Sequence, residues 1–375
     1  LVKAGDHVKV GQKIGEFKGL GAPIHASVSG TVKAIEPRPY SMGGNMMSVV
    51  IENDFQNTIS EEVKAPADPD ALTVEEMIEI VKNAGIVGMG GATFPTHVKY
   101  APQSSGRIID TVILNGIECE PFITADYRIL IEHADEVIRG LKYFLKASLA
   151  NKGIIAIEDN KPRAIELFNQ LTADDPNISV VVCPEKYPQG SERHLIYAVT
   201  GRVVPERALP SAVGVIVDNV ATAMQAALAV KDDLPCYERI VTVSGNAVHK
   251  PGNYRVRIGT LYSHLVEQGA QGLKNDPARI ISGGPMMGFS LHSLDFPVLK
   301  GTGGLLLFDH QSELAKLPSE NPCVRCGKCV DTCPMFLEPT QLFKAVKRRD
   351  WPAALAGHVG TCIECGSCAY NCPAH

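Results

Sequence analysis

The chain is 375 residues long, which at ~150 residues per domain predicts two or three domains. Its hydrophobic fraction of 45% and charged fraction of 21% exclude an intrinsically disordered chain. A formal net charge of −5 makes the chain a poor electrostatic match for nucleic acid, so no nucleic-acid partner is expected. No apolar run reaches the ~18 residues that a membrane-spanning helix needs.

The two ends of the sequence suggest a fragment. The chain begins with Leu1 instead of methionine, and it stops three residues after a cysteine motif, at His375. We therefore expect that both ends have been trimmed.

Residues 1–62 predict a small β barrel-sandwich, because short alternating strands are separated by glycine turns. The halves 5–17 and 22–35 resemble a biotinyl/lipoyl-type domain. Such carrier domains place a lysine at a hairpin tip, flanked by methionines in the biotinyl case. Lys18 has no methionine beside it, so a structural module is favoured over a swinging arm.

Residues 63–235 predict a Rossmann-like domain, since strands and helices alternate as they do in parallel sheets. A first helix is predicted from a capping box at Thr73 to a stop at Gly85. Strands are then expected at 111–114, 153–157, 179–183 and 213–217. Helices are expected at 125–146, 162–171, 191–199 and 221–230.

Residues 236–312 change to an α+β pattern. Strands are predicted at 239–244, 254–258, 280–281 and 305–308, with a helix at 261–269. From residue 313 a cysteine-rich tail follows, whose stretch 339–356 reads as a helix interrupted near Pro352.

Eight of the eleven cysteines lie in two motifs of identical spacing near the end of the chain. Each motif reads Cys-x-x-Cys-x-x-Cys-x-x-x-Cys-Pro, the spacing of bacterial [4Fe–4S] ferredoxins, and predicts two [4Fe–4S] clusters in a reducing compartment. Structural zinc is the alternative, but it explains neither the third and fourth cysteines nor the prolines. The scattered Cys119, Cys183 and Cys236 are expected to be small buried hydrophobes.

Each cluster is expected to take three cysteines from one motif and the fourth from the other motif, an arrangement called crossed ligation below. The reason is that the fourth cysteine of such a motif usually ligates the other cluster. Cluster one would use Cys323, Cys326, Cys329 and Cys372, and cluster two would use Cys362, Cys365, Cys368 and Cys333. Two helices between the motifs are expected to shield the clusters with Phe343 and Trp351.

A glycine-rich loop from Gly85 to Pro95 is, after the cysteine motifs, the second sequence feature that indicates a cofactor site. Glycines let backbone N–H groups approach a phosphate, although an ordinary turn explains the composition equally well. Polar residues follow three predicted strands, and Lys99 comes one turn after Pro95. Because ligands bind at the carboxyl edge of a parallel sheet, this combination predicts a flavin mononucleotide site. The alternative for Glu118 and Glu120 is a solvated loop carboxylate.

These segments resemble the FMN-binding subunit of respiratory complex I, the 51 kDa family. The resemblance implies that FMN is bound non-covalently by Gly88, Gly90, Gly91, Lys99, Asn115, Glu118, Tyr187, Asn219 and Thr222. It also implies that Glu192 helps to hold NADH near the tyrosine. The chain departs from the family pattern at Met89, Ile117, Ser191 and Asp218.

The whole chain, with its two cluster motifs, resembles the RnfC family of the Rnf electron transport complex. The resemblance includes a β-grasp (SLBB-like) module at 236–312, on the basis of residues 251–254, 283–288 and 298–302. It also includes a dicluster tail at 313–375. The family implies an NADH-oxidising protein that exchanges electrons with ferredoxin through membrane subunits, one of them an iron–sulfur protein. It implies peripheral attachment to the cytoplasmic face of the cell membrane.

Two alternatives remain open at this point. A cobalamin (corrin) reductase would share the FMN, β-grasp and cluster modules. A passive ferredoxin-like relay would need the clusters alone, and the glycine loop with Lys99 favours the flavoenzyme over it.

Overall fold

The computed structural model describes residues 1–66, 68–101, 108–316 and 319–375. The strands in these residues form a two-, a three-, a four- and a five-stranded sheet, of which the two smallest interleave in sequence within the first 53 residues. Within the same residues, no helix combines the length and the apolar character required to cross a lipid bilayer.

The first module is built from five strands around a small apolar core. The strands are β1 (His7–Val8), β2 (Lys13–Gly15), β3 (Ile24–His25), β4 (Gly30–Pro39) and β5 (Asn45–Asn53). All strand pairs are antiparallel: β4 pairs with β1 and β5, and β2 pairs with β3. Val8, Ile14 and Val32 fill the core, and Lys18 lies exposed in the loop between β2 and β3.

The second module is a parallel sheet covered by helices, as predicted. Its elements are α1 (Val74–Asn83), α2 (Thr96–Tyr100), β6 (Thr111–Gly116), α3 (Ala125–Glu132), α4 (Ala134–Ser148), β7 (Lys152–Glu158), α5 (Pro162–Leu171), β8 (Ile178–Cys183), α6 (Glu192–Thr200), β9 (Val215–Asn219) and α7 (Val220–Asp232). The strand order is β8-β7-β6-β9, and every pair is parallel. The order reverses between β6 and β9, which opens a crevice at their carboxyl ends.

The helix predicted over 125–146 is two helices in the structure. His133 adopts φ −131° and ψ 33°, which ends α3, and acidic Asp135 and Glu136 occupy the first turn of α4. The apolar spacing continues across this break, so periodicity alone reads one helix. The capping box of α1 is confirmed, with Thr73 and Glu76 each accepting the backbone N–H of the other.

The third module is a mixed five-stranded sheet. Its elements are β10 (Glu238–Ser244), β11 (Gly252–Arg257), α8 (Tyr262–His264), β12 (Pro277–Ser282), β13 (Phe289–Leu291) and β14 (Gly304–Asp309), in the order β11-β10-β14-β12-β13. The helix expected over 261–269 widens into a π-helix at Leu265–Gly269. The short strand β13 had no clear sequence signal.

The described residues of the cysteine-rich tail contain four short α-helices. They are α9 (Lys328–Asp331), α10 (Pro339–Lys347), α11 (Trp351–Ala356) and α12 (Ser367–Tyr370). The predicted interruption is confirmed, and it falls where Arg349 adopts φ +58°. Phe343 and Trp351 are 57% and 56% exposed, so whether they shield a cluster stays a prediction.

The close contact between α4 and α7 generates a prediction at Gly140. A Cβ atom there would lie 2.0 Å from the carbonyl oxygen of Ala223. Gly140→Ala should lower the free energy of unfolding by about 1–3 kcal/mol through overpacking, although alanine is the better helix former. Urea unfolding followed by circular dichroism measures the change.

Gly252→Ala is the matched control, because its Cβ would meet only Tyr254 at ordinary contact distance, 3.6 Å. If Gly140→Ala were as stable as the control, the two helices would be less tightly apposed than the structure has them.

Candidate functional site

The carboxyl edge of the parallel sheet brings two asparagines together. Asn115 and Asn219 are paired in register at the ends of the adjacent strands β6 and β9. The Asn115 side chain donates from Nδ2 to the carbonyl of Gly190 at 2.8 Å. The Asn219 side chain accepts the N–H of Ala221 at 2.8 Å and so caps α7. Both predicted residues therefore border the crevice where the strand order reverses.

The glycine loop lies over this crevice. The backbone N–H of Met89 donates to the Thr222 hydroxyl at 2.9 Å, which ties the loop to α7. A Cβ on Gly90 would stand 3.5 Å from the Cβ of Asn219. Gly91 has φ +119°, and a Cβ there would meet no atom within 4 Å. The backbone of the loop thus faces open space above the carboxyl ends of β6 and β9. This arrangement fits a flavin phosphate.

Lys99 reaches the same edge from α2 but already has a partner in the chain. Its ammonium donates to the carbonyl of Val217 at 2.6 Å and to Oδ1 of Asp218 at 2.9 Å. Asp218, 2% exposed, also accepts the Tyr100 hydroxyl at 2.6 Å. Burial, the largest single influence, disfavours the ammonium, but the charge and hydrogen bond of Asp218 and the charge of Glu192 together outweigh it and raise the pKa of Lys99. The lysine therefore remains a fixed cation beside the loop.

Glu118 is a helix cap, so the alternative of a solvated loop carboxylate is wrong for this residue. Its carboxylate accepts the N–H groups of Asp126 at 2.8 Å and Tyr127 at 3.2 Å, at the start of α3. Burial, followed by the nearby charge of Asp126, raises the pKa of Glu118 to about 8. The Asp126 carboxylate in turn accepts the Asn219 amide at 2.6 Å. A polar network thus lies beneath the glycine loop.

Glu120 joins the second module to the third, and it too is no solvated loop carboxylate. Its two oxygens accept the N–H groups of Met286 at 3.0 Å and Met287 at 2.8 Å. A Cβ on Gly284 would stand only 2.2 Å from one of these oxygens. The glycine-rich turn 283–288 is therefore shaped around this carboxylate.

Tyr187 connects the crevice to the cysteine-rich tail. Its hydroxyl donates to the carbonyl of Cys365 at 2.7 Å, and burial raises the pKa of the hydroxyl well above its ordinary value, so the group stays a donor. His194 on α6 contacts the carbonyl of Pro334 at 3.0 Å. Two polar contacts thus hold the tail against the side of the sheet that carries the crevice.

Glu192 stands at the first position of α6, beside the crevice. It keeps access to solvent. The surrounding protein nevertheless raises the pKa of its carboxyl through burial, against the opposing charge of Lys99. The structure therefore places a carboxylate at the rim of the same edge that holds Lys99 and Asn219.

The two cysteine motifs share one backbone conformation. Positive φ angles recur at equal positions in both: Arg325 and Glu364, Gly327 and Gly366, Phe336 and His375. The backbone N–H of Arg325 donates to Sγ of Cys323 at 3.4 Å, and that of Glu364 donates to Sγ of Cys362 at 3.4 Å. Thiolates that ligate iron–sulfur clusters receive N–H groups in this way. The donor set therefore fits two equivalent clusters.

The two halves of the tail meet at equivalent residues. The Asn371 amide donates to the Thr332 hydroxyl at 3.1 Å, and each of these residues directly precedes the fourth cysteine of its motif. Such a contact is what a pseudo-twofold relation between the halves produces. Within the described ranges, no three His, Cys, Asp or Glu side chains gather as ligands of a single metal ion.

The scattered cysteines differ among themselves. Cys183 and Cys236 are buried, as predicted, whereas Cys119 is only partly buried. Burial raises the pKa of the Cys119 thiol to about 11. All three thiols are therefore expected to stay protonated at neutral pH.

One residue at the site has no counterpart among the residues expected from the sequence. Arg239 lies on β10 in the third module, is 4% exposed, and donates to the carbonyl of Met89 at 2.7 Å. The sequence signal is weak, because Arg239 stands at the start of β10 directly after a second charged residue, Glu238. The contact crosses 150 positions of sequence, which no local pattern reports.

Four family models match consecutive parts of the chain. They are the RnfC barrel sandwich hybrid domain at 1–56, the Nuo51 FMN-binding domain at 81–228, the SLBB domain at 240–290 and the 4Fe-4S dicluster domain at 317–373. The chain thus carries an FMN-binding domain and a 4Fe-4S dicluster domain. The expected fold class is confirmed in each part.

Curated relatives match nearly the whole chain. The C subunit of the Na(+)-translocating ferredoxin:NAD(+) oxidoreductase complex of Acetobacterium woodii is 44% identical, over 94% of this chain and 79% of the relative. The C subunit of the proton-translocating complex of Clostridium ljungdahlii is 43% identical, over 91% and 74%. The C subunit of the ion-translocating oxidoreductase complex of Pasteurella multocida is 40% identical, over 93% of this chain but 42% of its own length.

Solved structures share the fold at lower identity. A chain of an NAD+-reducing [NiFe]-hydrogenase in the H2-reduced state superposes with a TM-score of 0.53 at 22% identity. The match covers 66% of this chain and 48% of that chain. This likeness supports the fold.

The open space at Gly91 generates a prediction for flavin binding. Gly91→Val should abolish FMN binding, because the side chain would fill the approach to the loop and is disfavoured at φ +119°. Quenching of FMN fluorescence on titration with the protein measures the affinity.

Gly43→Val is the control, since Gly43 has φ +106° and also has no atom within 4 Å of an added Cβ. Both variants carry the same backbone penalty, but Gly43 lies in the turn between β4 and β5. Full FMN affinity in Gly91→Val would mean that the loop is not the cradle.

Proposed function

The chain belongs to the RnfC family of Rnf ion-translocating ferredoxin:NAD+ oxidoreductase complexes, and we propose that it is the NADH-oxidising electron-transfer subunit of such a complex. Bound FMN would supply the chemistry that takes a hydride from NADH and releases electrons singly, and [4Fe–4S] clusters would supply single-electron carriers. The protein's part is to bind, orient and shield these groups.

The flavin residues would act in three ways. Gly88, Gly90 and Gly91 would offer backbone N–H groups to the phosphate, with Lys99 as the neighbouring cation. Asn115, Asn219 and Thr222 would hold the strand ends and the loop in place, as their hydrogen bonds in the chain already do. Glu118 would keep the start of α3 fixed beside them.

The observation that carries the proposal is the hydrogen bond from Tyr187 to the carbonyl of Cys365. Tyr187 follows β8 at the carboxyl edge, and Cys365 belongs to the second cysteine motif. One side chain therefore borders both the proposed flavin crevice and a proposed cluster. A two-electron site beside a one-electron site is what hydride oxidation followed by single-electron transfer requires.

Glu192 is proposed to contact NADH. Its carboxylate stands at the rim of the crevice, where a nucleotide entering over the flavin would pass, and the charge of Lys99 acts on it. A carboxylate can accept hydrogen bonds from ribose hydroxyls, as acidic residues do in other dinucleotide sites.

The clusters are proposed to be wired across the two halves of the tail. Cluster one takes Cys323, Cys326, Cys329 and Cys372, and cluster two takes Cys362, Cys365, Cys368 and Cys333. The contact between Thr332 and Asn371 supports this assignment, because it brings the residues before the two fourth cysteines together.

Family membership is the basis for the partners and the location that we propose. We propose NADH and NAD+ as substrates, membrane subunits of the complex, including an iron–sulfur protein, as neighbours, and ferredoxin as the redox partner of the complex. Electron flow is proposed to be reversible, with the chain held peripherally at the cytoplasmic face of the cell membrane. The domain limits proposed are 1–62, 63–235, 236–312 and 313–375.

Reduction of an artificial acceptor by NADH tests the function on the chain loaded with FMN and clusters. Glu192→Gln should raise the KM for NADH about tenfold, the effect of one hydrogen bond to a charged group, with FMN content unchanged. Steady-state kinetics with a dye acceptor measures it.

Glu166→Gln on the exposed face of α5 is the control and should leave the KM unchanged. A wild-type KM in Glu192→Gln would reject the role of this carboxylate. No NADH-dependent reduction by the loaded wild type would reject the proposed function itself.

Iron counts in double variants test the crossed ligation. Cys333→Ser with Cys362→Ser should damage a single cluster and keep ~4 Fe per chain, because both residues would serve cluster two. Cys333→Ser with Cys323→Ser should damage both clusters and leave far less iron. Anaerobic iron and acid-labile sulfide analysis measures the counts, and the reverse pattern would establish local ligation.

A further inference from the structure

Arg239 is a buried cation at the junction of the second and third modules, and its hydrogen bonds to the described residues all go to backbone oxygens. Its Nε donates to the carbonyl of Thr302, its Nη1 to that of Lys300 at 2.6 Å, and its Nη2 to that of Met89 at 2.7 Å. Among the described residues, no carboxylate forms an ion pair with it. A buried guanidinium is costly unless its donors are satisfied, so these carbonyls are held where they are.

The third of these bonds reaches the centre of the glycine loop. The N–H of Met89 is already held by the Thr222 hydroxyl, which belongs to α7 of the flavin fold. Arg239 holds the carbonyl of the same residue from a strand of the next module. Met89 is thus fixed on both sides, and its side chain is 3% exposed in the core of the second module.

The loop needs such a restraint because of its composition. Gly88, Gly90 and Gly91 surround Met89, and glycines lose more backbone freedom on ordering than any other residue. A binding loop that is ordered in advance does not spend ligand affinity on its own ordering. Among Gly88, Met89, Gly90 and Gly91, it is Met89 whose backbone forms hydrogen bonds with both the second and the third module.

We infer that Arg239 is a positioning residue of the flavin site, supplied by the β-grasp module: it fixes the carbonyl of Met89 and thereby the glycine loop that receives FMN. The inference rests on the flavin site of the proposed function and deepens it. It gives the third module a part in cofactor binding. It also places a permanent positive charge behind a loop that receives a phosphate dianion.

Lys300 offers a contrast at the same junction. Its buried ammonium donates to the carbonyls of Pro23 at 2.8 Å and Gly85 at 2.7 Å. It therefore ties the modules together at the first residue of the loop, without contacting Met89. Removing Lys300 weakens the junction, whereas removing Arg239 weakens the junction and frees the loop.

The test compares Arg239→Gln, Arg239→Lys and Lys300→Met in the full chain. FMN fluorescence quenching gives the Kd, and hydrogen exchange gives the protection of the loop amides. Arg239→Gln should raise the Kd for FMN at least tenfold and speed exchange at Met89 and Gly90. Arg239→Lys should recover part of the affinity, because an ammonium keeps the charge but not the fork of donors. Lys300→Met should lower the melting temperature and leave the Kd within about threefold.

Two outcomes would overturn the inference. One is a wild-type Kd with unchanged loop exchange in Arg239→Gln, and the other is an equal rise of the Kd in Arg239→Gln and Lys300→Met. Should Arg239→Gln fail to fold, Arg239→Lys decides: a Kd raised threefold or more at a native melting temperature supports the inference, and a wild-type Kd overturns it. A wild-type chain that binds no FMN would instead sink the proposed function.

Discussion

The arrangement of the first three modules depends on two buried cations whose donor groups bond to backbone carbonyls. Arg239 and Lys300 are both removed from water, and each needs several oxygens to offset its lost hydration. Those oxygens belong to loops of different modules, so moving one module away would leave a buried charge without hydrogen-bond acceptors. The barrel-sandwich module, the flavin module and the β-grasp module are therefore held in one register around the start of the glycine loop.

The tail is attached differently. Its polar contacts with the second module come from exposed or half-buried side chains, such as the hydrogen bonds of Tyr187 and His194 and the contact between Glu206 and His358. No bond of this kind is individually strong, since each replaces a bond to water and nets only ~1 kcal/mol. The proposed flavin and the proposed cluster are thus placed by a contact that can form and break more easily than the buried junction.

Sequence patterns predicted the parts of the molecule that short-range chemistry determines. The capping box at Thr73, the parallel strands and the repeated cysteine motif were all readable, because each depends on residues within a few positions of one another. The break at His133 was not, because the apolar spacing runs through it. The sequence correctly placed Lys99 at the carboxyl edge of the sheet. Its pairing with Asp218 was not predictable, because the two residues are 119 positions apart in the sequence.

Arg239 shows most clearly what could not be predicted from the sequence. A charged residue in a strand does not reveal from the sequence whether it is buried, or which groups satisfy it. The three oxygens come from loops that are distant in sequence and are brought together only by packing of whole modules. Propensity and periodicity carry no information about such partners.

The sparse core of the tail has a consequence for how the protein is made. Few of its large apolar side chains are buried, chiefly Leu337 and Leu342 among the described residues, while Phe336 is 93% exposed. A segment of this size cannot offset its conformational entropy with so little apolar burial. We therefore expect metal ligation to supply the missing free energy, so that the tail folds only when the clusters are inserted. Cells short of iron would then accumulate chains with three folded modules and an open tail, a natural substrate for proteolytic quality control.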